Sequence, residues 1–198
     1  MRLSDRFKFV FISNPRCGST SARQMLDPFA DVRSTTNPPP VPWQHHHADA
    51  ALIEEGMRES GRNPDDYVFF TTIRNPWARV FSAYKFGLKR PHSTWHAPAV
   101  SSGSVNGFIQ HPHVIEKMSG HTLESKTTSR VQTFRIEDQT GDLLRLASSI
   151  VGEPLTLPHV NTTESASYIE AFSDQNAIDL VADIFSSDIA AMGYRFGG

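Results

Sequence analysis

The sequence predicts a three-layer α/β domain, with a small central parallel sheet flanked by helices. Two observations carry that prediction. Short apolar runs rich in β-forming residues lack in-out alternation, as strands buried on both faces do, and they alternate along the chain with segments of helical periodicity. The junctions carry glycine, proline, asparagine or hydroxyl residues where helices should start and stop.

The first run, FKFVFIS at 7–13, reads as a strand, and residues 14–18 as a turn. Ser19 or Thr20 then opens a helix whose Ala22, Met25, Leu26 and Phe29 follow helical spacing. NPPPVPW at 37–43 is neither helix nor central strand, because each proline fixes φ and removes a donor; a stiff surface loop is expected. Residues 48–60 have a helical pattern that stops at Gly61, and YVFFTTI at 67–73 is the second buried strand. Asn75 is a good N-cap residue with Pro76 at the first helical position, and Trp77, Val80, Phe81, Tyr84 and Leu88 continue as an apolar stripe. Residues 90–125, rich in histidine, proline, serine and glycine, read as loop with one short helix near 105–109. VQTFRI at 131–136 is a third strand, followed by helices around 141–151 and 175–186.

With 198 residues the chain fits a single domain spanning 1–198, and 38% apolar with 20% charged residues is a globular composition. The lone Cys17 excludes an internal disulfide framework. No stretch of about 18 apolar residues is present, and the opening residues lack an apolar run with a small-residue cleavage site. A soluble, cytoplasmic protein without a transmembrane segment is the expectation. The net charge of −2 conceals an asymmetry: residues 67–136 hold 9 basic and 2 acidic side chains, whereas 137–198 hold 2 and 10. A positive potential able to attract a small anion is expected in the middle of the chain, while the near-neutral balance speaks against a nucleic-acid partner.

Two motifs sit where strands give way to helices, the place where α/β sheets bind ligands. The first runs Asn14-Pro15-Arg16-Cys17-Gly18-Ser19-Thr20-Ser21. It offers a small-residue turn, backbone N–H groups, three hydroxyls and one cation, the parts needed to hold an anion whose charge is spread over several oxygens. The G-x-x-x-x-G-K-[ST] spacing of a nucleotide-hydrolysing P-loop is missing. The second motif runs Arg74-Asn75-Pro76-Trp77-Ala78-Arg79-Val80-Phe81-Ser82. Asn75 and Ser82 lie on nearly the same helix face, about 10 Å apart along the axis. An Arg74 fork and a Ser82 hydroxyl there suit a terminal phosphate monoester.

Together the two motifs resemble the PAPS-dependent sulfotransferases, in particular the branch that contains carbohydrate sulfotransferases. Weaker similarity continues through Phe134-Arg135-Ile136-Glu137-Asp138, Leu157-Pro158-His159-Val160-Asn161 and the stretch Asp188-Ile189-Ala190-Ala191-Met192-Gly193-Tyr194-Arg195-Phe196. The resemblance implies a P-loop-like sulfotransferase fold and transfer of a sulfuryl group from PAPS to a hydroxyl or amine of an acceptor. That acceptor would be a carbohydrate, a small molecule or an oligosaccharide. It further implies that Arg16, Cys17, Gly18, Ser19, Thr20 and Ser21 hold the 5′-phosphosulfate, that Arg74 and Ser82 hold the 3′-phosphate, and that no metal takes part. The family usually has lysine where this chain has Arg16. Arginine keeps the catalytic task of neutralising the leaving phosphate, but at neutral pH it does not give up a proton.

Such a transfer needs a base for the acceptor proton, and a neutral histidine suits the task. His45, His46 and His47 lie between the two motifs, and the resemblance favours His47, with His45 second. The region around 37–43 and 90–125, with Trp43 and Trp95, is the expected acceptor cleft. Glu137 and Asp138 are expected to support the end of the third strand, and His159 and Asn161 to serve in a turn or cap. A metal site is conceivable from His45, His47 and Asp49 or from His111 and His113, but three adjacent histidines do not give a recognised ligand spacing. Two functional rivals stand beside the transferase. Cys17 and Arg23 form the C-x5-R spacing of a cysteine-dependent phosphatase, and the same fold could serve as a non-catalytic nucleotide-binding module.

Overall fold

The computed structural model describes residues 1–34, 39–158 and 167–198, and the chain divides into two compact units of two segments each. One unit comprises Met1–Ile73 and Lys126–Val160, the other Arg74–Ser125 and Asn161–Gly198.

The first unit is built on a five-stranded mixed sheet: β1 (Arg2–Ser4), β2 (Phe9–Ile12), β3 (Val32–Arg33), β4 (Val68–Ile73) and β5 (Gln132–Arg135), in the order β3-β1-β2-β4-β5. β2, β4 and β5 run parallel, with Phe11 opposite Phe70 and Phe70 opposite Gln132. The expected parallel sheet is therefore its core, and the correction lies at one side: β1 pairs antiparallel with both β2 and β3. β1 is hard to read in the sequence because only Leu3 of its three residues is apolar, while Arg2 is buried through an ion pair with Asp27.

Alternation along β2 and β4 sends side chains to two covered faces. Phe9, Phe11 and Phe70 pack with Ala22, Met25 and Leu26 of α1 (Ser19–Leu26) and with Leu143 and Ala147 of α8 (Thr140–Val151). Val10, Ile12 and Phe69 face Ile53 and Met57 of α2 (Ala50–Glu59) together with Trp43. Helices thus flank both faces of the sheet. Trp43 is 6% exposed and lies over Gly56, where an added Cβ would come within 2.1 Å of its ring. Its expected place in an acceptor cleft is corrected: the indole is core. Of the proline run, residues 35–38 lie outside the described residues, and Pro42–Gln44 form a short 3-10 turn.

The second unit is helical throughout its described residues. It holds α3 (Pro76–Lys89), α4 (His96–Ser102), α5 (Val105–Gln110), α6 (Pro112–Ser119), α9 (Tyr168–Ala171), α10 (Gln175–Ile184) and α11 (Ser186–Met192), while α7 (Leu123–Lys126) runs across the boundary between the units. Four helices between 90 and 126 correct the expected loop. Its serine, proline and glycine are helix punctuation: Ser104 caps α5, Pro112 opens α6, and Gly103 stops α4 in the left-handed region. Trp77, Val80, Phe108, Val114, Val181 and Phe185 form its core, which also takes in Trp95. Trp95 is therefore not a cleft residue either. Leu88 departs from the expected stripe, being 43% exposed near the end of α3. No described helix is long and apolar enough to cross a membrane.

Candidate functional site

β2 and β4 are adjacent and parallel, so residues 13–18 and the chain that leaves Ile73 start from neighbouring strand ends. Ser13 and Asn14 are fully buried, and the Cys17 amide donates to the Asn14 carbonyl at 3.4 Å, closing a turn. Two residues of this turn adopt left-handed conformations, Arg16 at φ 63° and Gly18 at φ 71°. For glycine that conformation is free, whereas for arginine it costs about 1–2 kcal/mol. Strain of this kind persists where the surroundings enforce it, and it clusters at ligand clamps. The turn is tied to β4 between these two residues: the Thr72 hydroxyl donates to the Cys17 carbonyl at 2.6 Å in a buried setting. Ile136 closes the other side, 3.3 Å from where a Cβ on Gly18 would stand.

α1 starts from Gly18, which carries no side chain with which to cap the helix. Ser19 and Ser21 are buried, Thr20 is half-buried and Gly18 is exposed. The Ser13 hydroxyl, also buried, has no hydrogen-bond partner among the described residues. An exposed glycine at a helix N-terminus, an arginine in the left-handed region and a buried hydroxyl make a turn suited to an anion.

His47 stands on this turn. Its Nδ1 lies 3.2 Å from the carbonyl of Ser13, the residue from which the turn springs. A carbonyl only accepts, so Nδ1 carries the proton and the lone pair of the neutral ring falls on Nε2. Burial pushes the imidazole down to about 4, with the nearby Lys126 ammonium contributing, so the ring is neutral at pH 7. Lys126, itself buried, donates from Nζ to the His47 carbonyl at 2.8 Å. The other two histidines are differently engaged. His46 Nδ1 meets Arg23 Nη1 at 2.8 Å, and burial together with that guanidinium lowers it to about 2. His45 Nδ1 accepts from the His47 amide at 3.2 Å.

In the second unit Arg74 is half-buried and has no hydrogen-bond or ion-pair partner among the described residues. Ser82 is buried on α3. Asn75 is a structural cap: Oδ1 accepts from the Trp77 and Ala78 amides, and Nδ2 donates to the carbonyls of Arg195 and Gly198. Arg79 is buried 3.9 Å from Asp188, whose carboxyl burial pushes up, with Leu123 N–H donating to it at 2.7 Å.

No protein-family model, curated protein or solved structure matches this chain.

The C-x5-R pair has the wrong surroundings for a thiolate nucleophile. Cys17 is 0% exposed and its thiol donates to the Pro15 carbonyl, while Arg23 holds Ser19 O, Thr20 Oγ1 and His46. No group of three metal-ligating side chains forms among the described residues. Of the residues weighed for metal, Asp49 caps α2 and His111 caps α6. At the end of β5, Arg135 is paired with Asp138, as expected of a supporting carboxylate. His159 and Asn161 lie outside the described residues.

Sequence reasoning missed Thr72, Ser13 and Lys126. A signal existed for Thr72, one of two adjacent threonines in a largely apolar strand, which burial obliges to find partners. For Lys126 none existed, since its bond partner is 79 residues away in the chain.

Proposed function

We propose that this chain is a PAPS-dependent sulfotransferase of P-loop-like fold, acting on a hydroxyl or amine of a carbohydrate or other small acceptor. The observation that carries the reading is the His47 to Ser13 hydrogen bond, because it sets a neutral imidazole, with its lone pair on Nε2, at the root of an anion-holding turn. The turn's residues fit a phosphosulfate: amides from Gly18 onward, hydroxyls of Ser19, Thr20 and Ser21, and the Arg16 cation. Arg74 and Ser82 are assigned to the 3′-phosphate, Arg74 for its guanidinium, which has no hydrogen-bond or ion-pair partner among the described residues.

The donor supplies an electrophilic sulfur, and the chain supplies the rest. His47 Nε2 takes the acceptor's proton as the acceptor oxygen or nitrogen forms its bond to sulfur. As the bond from sulfur to the bridging oxygen breaks, Arg16 and the α1 amides stabilise the charge gathering on the departing phosphate. Arg16, always charged, acts by electrostatics alone.

The test is calorimetric titration of the intact chain with adenosine 3′,5′-bisphosphate against ATP and inorganic phosphate, followed by an acceptor screen with labelled donor. Selective binding of the bisphosphate and label transfer that His47→Ala abolishes are the expected results. Binding without transfer to any acceptor would point to a nucleotide-binding module, and no binding would overturn the assignment.

A further inference from the structure

The buried hydrogen bond between Thr72 and Cys17 has a geometric consequence for the turn. In a planar trans peptide the C=O and the following N–H point in opposite directions, and no cis peptide is present. The Cys17 carbonyl is held toward β4 by the Thr72 hydroxyl at 2.6 Å, so the Gly18 N–H of the same peptide is turned away from the strand. Gly18 is the exposed residue of the turn and the residue from which α1 starts. Removing the hydroxyl takes away one hydrogen bond that sets the orientation of this peptide, and a glycine tolerates the adjustment of ψ of Cys17 and φ of Gly18 that would follow.

We propose that Thr72 is a positioning residue, whose hydroxyl orients the Cys17–Gly18 peptide so that the Gly18 amide donates to the bound anion. Resting on the donor-binding reading, the proposal adds a residue of β4 to the machinery of the turn, one that touches no ligand itself. Its neighbour Thr71 sets the contrast: that hydroxyl donates to Ile12 O at 2.8 Å, within the strand pair and away from the turn.

The experiment uses the intact ¹⁵N-labelled chain, its Thr72→Val and Thr72→Ser variants, and two titrants followed at the Gly18 amide resonance. Inorganic pyrophosphate reports on the turn whatever nucleotide the protein accepts; adenosine 3′,5′-bisphosphate reports on the donor reading. Expected are a downfield shift of the Gly18 amide with pyrophosphate, affinity weakened about tenfold by Thr72→Val, and affinity restored to within about twofold by Thr72→Ser. A purely structural role would lower the melting temperature of the valine variant and leave its affinity unchanged. Should valine not fold there, Thr72→Ala against Thr72→Ser makes the same comparison. Wild-type affinity in the hydroxyl-free variant, or a Gly18 amide that does not respond to pyrophosphate, overturns the proposal. A pyrophosphate response without binding of the adenosine bisphosphate supports Thr72 and overturns the donor reading alone.

Discussion

His47 makes the sharpest statement at the scale of a single residue. With its ring pushed down to about 4, the imidazole proposed as the base is unprotonated well below the ordinary histidine range. The acid limb of kcat/KM should accordingly fall near pH 4, with a flat profile through pH 6, where an exposed histidine would already have lost most of its activity. Removing the Lys126 ammonium by Lys126→Met takes away one of the charges that lower it, so the limb should move toward higher pH. A limb that stays in place would show that the Lys126 ammonium does not help to set the value. Gly18 makes a second statement: Gly18→Ala forces a Cβ into a left-handed position and 3.3 Å from Ile136, so a loss of about 1–2 kcal/mol is expected in urea unfolding. Anion affinity should fall with it, since the turn must shift to admit the methyl group. The glycine was legible in the sequence as part of a small-residue turn. That Arg16 shares its left-handed conformation was not, because a side chain with a Cβ is placed there only by contacts made from elsewhere in the fold.

Helix ends and helix contacts decide the element scale. α3 begins as its sequence requires, with Asn75 accepting from two amides and Pro76 needing no donor. The same Asn75 amide nitrogen holds two carbonyls 120 and 123 residues away. Asn75→Ala should therefore cost more than an ordinary cap, about 2 kcal/mol in denaturant melts, because the Arg195 and Gly198 carbonyls lose this donor as well. α2 offers the packing counterpart. Trp43 lies against the bare backbone of Gly56, and Gly56→Val should expel the indole and destabilise by about 3 kcal/mol or more. An unchanged melting temperature would mean that the tryptophan is not held there. Both strands of the site and their following helices were readable from periodicity and caps. The helices between 90 and 126 were not, because short helices rich in serine, proline and glycine look like loops until a core of Trp95, Phe108 and Val114 is supplied.

For the whole molecule, the buried histidines predict how stability follows pH. In the unfolded chain His46 and His47 take up protons near pH 6.5; in the fold they do so only near 2 and 4. Between those limits the unfolded state binds more protons, so stability falls as the pH drops below about 6.5 and is indifferent to these groups above it. For His47 alone the full loss amounts to about 3 kcal/mol by pH 4. Melting temperatures recorded between pH 7.5 and 5 should decline, and His47→Gln should flatten the decline. A variant that kept the whole slope would place the sensitivity in other groups.

The alternation of buried strands with capped helices, the small-residue turn after the first parallel strand, the Asn75-Pro76 helix start and the histidine cluster are all local in sequence, and the chain determined them by itself. Which histidine stands on the turn, which way the Gly18 amide faces and what packs against Gly18 depend on contacts with Ser13, Thr72 and Ile136 that the fold makes across 34, 55 and 118 positions. Only the tertiary structure decided those, because a buried polar group chooses its partner from whatever the fold leaves within about 3 Å, and that choice has no trace in local pattern.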